Sequence, residues 1–433
     1  MKHSLLFFFL VSVSMLLQAN SQQALSLQEA ENMALTYDLS IKRFLTQAQA
    51  LGNAAVSESD LPDPQLKFAA QNIPVDSWGL NDDPMTQAKI SLAQRFSAGD
   101  SRKNTREIYL QQQEAMKQRS EMQRLKVLYN TRSQWLDAYL WHRRVAILDS
   151  DKQLFQQLKT LTTSLYEVGK RQQQDVLRSD LELDLLLQKQ VQAQQRFIEH
   201  RQQLSALLGL QILPRRWPET MQALTAVSEQ QLTPEALQQQ LLKHPQTRML
   251  QYELSAKRAQ VQLADSKTAA VWGVEVSYGY RDYDNGMGHK PSDLVSAMVN
   301  VSVPLWGAQR NDKRKQSSRL QQQDVQYQYD DALRQLHAQV QAQSTRWRQL
   351  QQRRKFYASQ LINKSDAHVQ ASLKAYESGV GDLSALMRAS IDRQKLKLDY
   401  LQLQVDEQKA LAKLHMLLGH DVVALGHGDN KHV

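Results

Sequence analysis

The segment Tyr376-Glu377-Ser378-Gly379 occurs in almost the same form 210 residues earlier, as Tyr166-Glu167-Val168-Gly169. A Leu-Leu-Gly triplet follows each copy and ends at Gly209 and at Gly419, so the same spacing of 43 residues occurs twice. Similarity among Gln-rich helices can arise by chance, but a tyrosine and two glycines rarely fall into register in both copies. The pattern predicts a tandem duplication, with structural repeats over residues 22–222 and 223–419.

The two ends of the chain are predicted to lie outside these repeats. A basic start, Met1-Lys2-His3, precedes an apolar run from Leu5 to Leu17, which is typical of a secretory signal peptide over residues 1–21. Residues 420–433 are predicted to form a flexible tail. The chain has no cysteine and a net charge of +9. A basic exported protein of this kind is expected to meet anionic lipid, and no nucleic-acid partner is predicted.

Each repeat is predicted to contain a helix, two strands, a very long helix, a tight turn and a returning helix. The helices are expected at about 27–60, 100–166 and 172–208, and again at 234–268, 311–375 and 382–418. The turns are expected at 166–172 and 376–382. A helix of nearly 70 residues would measure about 100 Å. Helices of this length favour a rod-like bundle of coiled-coil type.

The four predicted strands cover residues 65–73, 86–96, 271–283 and 293–305. Apolar and polar residues alternate along them, which also fits a soluble sheet packed on helices. The export signal, the aromatic residues on the apolar face and the long helices favour a membrane barrel instead. Since four strands cannot close a barrel and lipid does not tolerate open edges, three chains are predicted to share twelve strands. The predicted lipid-facing residues are Trp272, Val274, Val276, Tyr278, Tyr280, Val299, Val301 and Val303.

This organisation resembles the TolC family of outer-membrane efflux proteins, over essentially the whole chain after the signal peptide. The motifs that carry the resemblance are the two Tyr-Glu-x-Gly turns, the two Leu-Leu-Gly triplets, Leu61-Pro62-Asp63-Pro64, Gln94-Arg95-Phe96 and Val303-Pro304-Leu305-Trp306. The resemblance implies a mainly α fold with a trimeric 12-stranded β-barrel in the outer membrane of a Gram-negative bacterium. Each chain would supply four strands, and the barrel would continue into a long α-helical barrel in the periplasm.

The resemblance also implies a passive exit duct, which is not an enzyme and has no cofactor or metal of its own. Its partners would be two further copies of the chain, a periplasmic adaptor protein and an inner-membrane pump of the RND type. The Pro62-Asp63-Pro64 segment and the compact exit of the second strand are similar to the heavy-metal cation efflux branch, CzcC/CusC-like.

In this family the two turns form the periplasmic tip, where the adaptor binds. Carried over by position, adaptor contacts would fall at Val168, Gly169, Lys170, Ser378, Gly379 and Val380, although these can also be plain helix-turn residues. The family's charged latch is altered here, because Gly381 replaces an arginine and Ala385 replaces an acidic residue. We predict a rearranged charged gate of Arg171, Asp175 and Asp382. Solvated helix-end charges are the alternative.

Two other functions fit parts of the sequence. A TolC-like duct for type I protein secretion has the same architecture and differs only in its pump. A soluble periplasmic coiled-coil scaffold explains the helices but leaves the strand pairs unexplained. The sequence contains no phosphate-binding loop and no His-Glu-x-x-His motif, so an enzymatic function is not predicted.

Overall fold

The computed structural model describes residues 24–210, 216–283, 290–303 and 306–419. The predicted signal peptide, the predicted C-terminal tail, and Pro304 and Leu305 lie outside the described residues. The first half contains α1 (Leu27–Tyr37), α2 (Leu39–Ser57), β1 (Gln65–Gln71), β2 (Gln87–Phe96), α3 (Ser101–Glu167) and α4 (Gln173–Leu207). The second half contains α5 (Pro234–Lys243), α6 (Pro245–Ser266), β3 (Val271–Tyr280), β4 (Leu294–Ser302), α7 (Ala308–Phe356), α8 (Ile362–Glu377) and α9 (Leu383–Leu418).

The first helix of each half is broken in two, where the sequence analysis expected one helix. In the first half, Asp38 ends α1, and its side chain accepts a hydrogen bond from the Ile41 amide at 2.8 Å to start α2. In the second half, His244 has an extended backbone because it precedes Pro245, and a residue before proline avoids the helical region. The predictions of single helices over 27–60 and 234–268 are therefore wrong.

The long helices differ between the two halves. Helix α3 is continuous for 67 residues, as expected. The expected helix over 311–375 is instead α7 and α8 with a five-residue π-helical turn between them, Tyr357–Leu361. The unbroken run of helix formers in this stretch carries no signal for that turn, and π-helical turns are short departures inside otherwise regular helices.

The four strands form one antiparallel sheet in the order β1-β2-β3-β4. Three strands end earlier than the sequence analysis expected. Strand β1 ends at Gln71 because Asn72 adopts a positive φ of 58°. Strands β3 and β4 end at Tyr280 and Ser302 rather than at residues 283 and 305.

Contacts divide the chain into two compact units, and each draws on both halves of the sequence. The sheet unit comprises residues 43–120 and 245–332, and therefore contains all four strands. Close to the strands, the Asn104 side chain donates a hydrogen bond to the Ser266 hydroxyl at 2.9 Å and ties α3 to α6.

The turn unit comprises the remaining residues and contains both Tyr-Glu-x-Gly turns. In its core, Trp135 on α3 is fully buried, and its indole nitrogen donates to the Leu25 carbonyl at 3.1 Å. Beside it, Arg132 makes a two-point ion pair with Glu31 on α1, at 2.7 and 3.2 Å.

Among the described helices, none combines the length and the apolar character needed to cross a membrane.

Candidate functional site

The strand register gathers the predicted lipid-facing residues on one face of the sheet, here called the apolar face. Directly paired residues on neighbouring strands point to the same face. The apolar face therefore extends across all four strands. Its pairs include Phe68 with Ile90, Ile90 with Tyr278, Leu92 with Val276, Phe96 with Trp272, Tyr278 with Val295, Val274 with Val299 and Trp272 with Val301.

All eight predicted lipid-facing side chains are exposed in the single chain. Their exposed fractions run from 38% for Val274 to 61% for Val299, and Phe68 on β1 reaches 75%. Val303 is exposed as well but follows the end of β4. Contiguous apolar surface of this extent marks a face that another apolar phase or partner covers.

On the opposite face, here called the polar face, the middle of the two central strands is covered. Ser91 and Ser277 on this face are 5% exposed, whereas their sequence neighbours Ile90 and Tyr278 on the apolar face are 41% and 44% exposed. One cause is the ion pair of Lys67 on β1 with Glu275 on β3, at 2.9 Å, which reaches across β2. On β2 and β3 the sheet is thus inverted relative to a soluble protein, because apolar side chains are exposed and the two serines are covered, whereas on β4 both faces are exposed.

The two Tyr-Glu-x-Gly turns have the same backbone geometry. Gly169 and Gly379 have φ of +71° and +82°, a conformation that L side chains rarely adopt. In the first turn, Lys170 and Gly169 donate to the carbonyls of Leu165 and Tyr166 at 2.9 and 2.8 Å. The second turn repeats these bonds at 3.1 Å each. This is the Schellman motif, which ends a helix on a glycine.

The six residues predicted to contact an adaptor are all exposed at these turns. Val168 and Val380 are the most apolar of them, with exposed fractions of 65% and 87%. A Cβ atom on Gly169 or Gly379 would meet nothing within 4 Å. The glycines are therefore needed for the backbone conformation, and the space around them is open.

Arg171 links the two turns, in an arrangement here called the Arg171 clamp. Its Nη2 atom donates to the carbonyls of Tyr376 and Gly381, each at 3.0 Å. Its guanidinium carbon lies 4.4 Å from the centre of the Tyr376 ring. Tyr376 is fully buried, and its hydroxyl donates to Thr162 Oγ1 at 3.3 Å. The cation is thus held by backbone carbonyls and an aromatic face.

The two carboxylates of the predicted gate lie at helix starts instead. Asp382 accepts a hydrogen bond from the Ala385 amide at 2.6 Å and caps α9. Asp175 lies in the first turn of α4, where its negative charge interacts favourably with the positive end of the helix dipole. Within the described parts of the two turns, no carboxylate lies within ion-pair distance of Arg171 in the single chain. The charged gate stays a prediction about the assembled protein.

The sequence analysis named Arg171 but missed its partner Tyr376. The offset of 210 residues aligns Arg171 with Gly381. This difference between the two turns was the one sequence feature that could have pointed to the contact. At Gly381 a Cβ atom would lie 3.0 Å from the Ala375 Cβ, so a side chain there would be tightly crowded. The arginine of the first turn reaches the carbonyl that this glycine leaves accessible.

A buried charge in the turn unit was also missed. Asp151 on α3 is 3% exposed, and one of its oxygens lies 3.4 Å from Arg393 Nη2 on α9. Burial raises the pKa of Asp151, and the charge of Arg393 opposes that rise.

Within the described ranges, no group of three or more His, Asp or Glu side chains is placed to hold a metal ion.

A four-stranded sheet with an exposed apolar face and very long helices occur together in this chain. Residues 236–420 match the family model described as outer membrane efflux protein. A comparison of the sequence with curated proteins finds no match. The family match supports the resemblance to the TolC family that the motifs indicate.

Solved structures of outer-membrane channels share this fold along almost the whole chain. VceC from Vibrio cholerae gives a TM-score of 0.74 at 14% identity, covering 91% of this chain and 96% of that one. CusC gives 0.76 at 13% identity, with 92% of each chain covered. MtrE from Neisseria gonorrhoeae, in its open state, gives 0.71 at 15% identity, covering 91% and 88%. The predicted mainly α fold with four strands per chain is confirmed, and the heavy-metal branch stays a prediction.

Proposed function

We propose that three copies of this chain form the outer-membrane exit duct of a tripartite efflux system. The inverted sheet is the observation that carries the proposal. An exposed face of valines and aromatic residues is costly in water, and it suits the lipid-facing side of a barrel. The polar face, which carries Lys67, Lys89 and Glu275, suits a water-filled interior.

The edges of the sheet support assembly from several chains. Strand β1 and strand β4 each have a neighbour on one side only. Backbone groups on an open edge inside lipid would each cost several kcal/mol. Pairing β1 of one chain with β4 of the next removes both open edges, and three chains give a closed barrel of twelve strands.

The exposed turns support docking of a periplasmic adaptor, which would connect the duct to an inner-membrane pump of the RND type. Val168 and Val380 offer apolar contacts beside glycines whose backbone is accessible. The duct itself would conduct passively, with energy supplied by the pump. The finer prediction, heavy-metal cations as substrates, rests only on the resemblance of the Pro62-Asp63-Pro64 segment and of the compact exit of the second strand. Metal and drug sensitivity of a deletion strain would test it, and unchanged metal tolerance would count against it.

Two adjacent residues on opposite faces of β4 provide a sharp test of the outer-membrane location. Val299 lies on the apolar face and Asn300 on the polar face, and both are exposed in the single chain. In lipid, Val299→Arg should cost about 2–4 kcal/mol, so this variant should be lost from the outer-membrane fraction. Asn300→Arg adds the same charge and should insert as trimers. Equal recovery of both variants in the soluble periplasm would refute the proposal and favour a soluble scaffold.

The docking part of the proposal needs its own experiment. Because the chain has no cysteine, Val380→Cys places a single thiol at the second turn for crosslinking in cells. A covalent product with the adaptor is expected. Leu320→Cys, exposed on α7, is the matched control and should give none. A similar yield from both thiols would count against docking at the turns.

A further inference from the structure

The polar face of the sheet carries an excess of positive charge. Lys67, Lys89 and Arg95 lie on it, against the single carboxylate of Glu275. This leaves two net positive charges on the strands of each chain. We infer that the barrel interior favours small anions over cations, an inference that rests on the proposed function because it takes this face as the interior wall.

The register places these four charges on the same side of three strands. Lys89 pairs with Gly279, and Arg95 pairs with Gly273. Both partners are glycines, so no side chain on β3 covers the two cations from directly across. Glu275 lies between these two glycines along β3, on the same face.

Glu275 cannot neutralise all three cations. Its carboxylate is 2.9 Å from Lys67 Nζ, and it also interacts electrostatically with Lys89. Among the described residues, no carboxylate lies within 4 Å of Lys89 or Arg95. Asp63, just before β1, faces the same hollow as Arg95, but it precedes the wall rather than forming part of it. The charge of the wall is therefore positive after pairing.

A positive wall concentrates anions and repels cations in the water beside it. Three chains would place six net charges around one interior. The effect depends on salt, because the Debye length is about 10 Å at 0.1 M and about 30 Å at 0.01 M. Selection should consequently be strongest in dilute salt. Small organic or inorganic anions are the substrate class that this wall favours, so the inference argues against the predicted heavy-metal cations while keeping the proposed duct.

The test is a reversal potential measured on the full-length protein in planar bilayers, under a tenfold KCl gradient with about 0.01 M on the dilute side. The wild type should show a chloride-to-potassium permeability ratio above one. The variant Lys67→Gln/Lys89→Gln/Arg95→Gln should lower that ratio at least about twofold. Glu275→Gln should raise it. Asn300→Gln changes a side chain on the same wall without changing charge, and should leave it unchanged.

The outcomes separate this inference from the proposed function. A wild-type channel that prefers potassium would overturn the inference, as would a triple variant with the wild-type ratio. The single variants Lys89→Gln and Arg95→Gln give the same sign of shift if the triple variant fails to form trimers on a gel. Recovery of the wild type in the soluble periplasm instead of the outer membrane would overturn the duct itself, and with it the charge argument.

Discussion

Removing the arginine of the Arg171 clamp should loosen the contact between the two turns. Arg171→Ala deletes two hydrogen bonds of 3.0 Å from a cation to carbonyls and the contact with the Tyr376 ring. At a half-buried site the two hydrogen bonds are worth about 1 kcal/mol each or somewhat more. The cation–π contact adds about 0.5–1 kcal/mol. The variant should therefore lose about 2.5–4 kcal/mol locally, a factor of about 70 to 1,000 in the opening equilibrium.

Hydrogen exchange on the assembled full-length protein measures this opening directly. The amides of Val380 and Gly381 donate to the Ala375 carbonyl at 3.1 and 2.8 Å, so they report on the second turn. Their exchange should accelerate by the factor above if it proceeds through local opening. Lys170→Ala is the matched control, since it removes an exposed positive charge one residue away. Equal exchange rates of these amides in the two variants would show that Arg171 does not stabilise the contact between the two turns.

Two further predictions concern the stability of the turn unit. Glu31→Ala leaves Arg132 buried without its partner, which should cost about 3–5 kcal/mol in thermal or urea unfolding; a loss below about 1 kcal/mol would show that water reaches the pair. Burial lowers the pKa of His244, so its stabilising contribution is present above about pH 6.5 and is lost as the pH falls through the lowered pKa of the folded protein. When the pH is lowered from neutral to mildly acidic, the melting temperature of His244→Gln should therefore fall less than that of the wild type. His368→Gln changes an exposed histidine and should show the same fall as the wild type.

The sequence predicted what depends on local patterns and missed what depends on packing between distant segments. Alternation along β3 and β4 was enough to place Trp272 and Val299 on one exposed face, because a strand has a strict period of two. The glycines at 169 and 379 predicted the turns, because few other residues adopt a positive φ. The break before Pro245 was also readable and was overlooked. The clamp joins residues 205 apart, Arg171 and Tyr376, and no local pattern encodes such a contact.

The predicted duplication would explain the likeness of the two turns, which nevertheless differ at one position that matters. Tyr166 and Tyr376 occupy equivalent positions, yet Tyr166 is 43% exposed and Tyr376 is fully buried. Arg171 covers Tyr376, whereas its equivalent in the second copy is Gly381, which has no side chain to cover Tyr166. In the proposed trimer, each second turn would meet a first turn of its own chain and one of the next chain. Because each chain has one Arg171 and it is engaged within its own chain, the two kinds of junction around the proposed ring would differ chemically even though the backbone turns are the same.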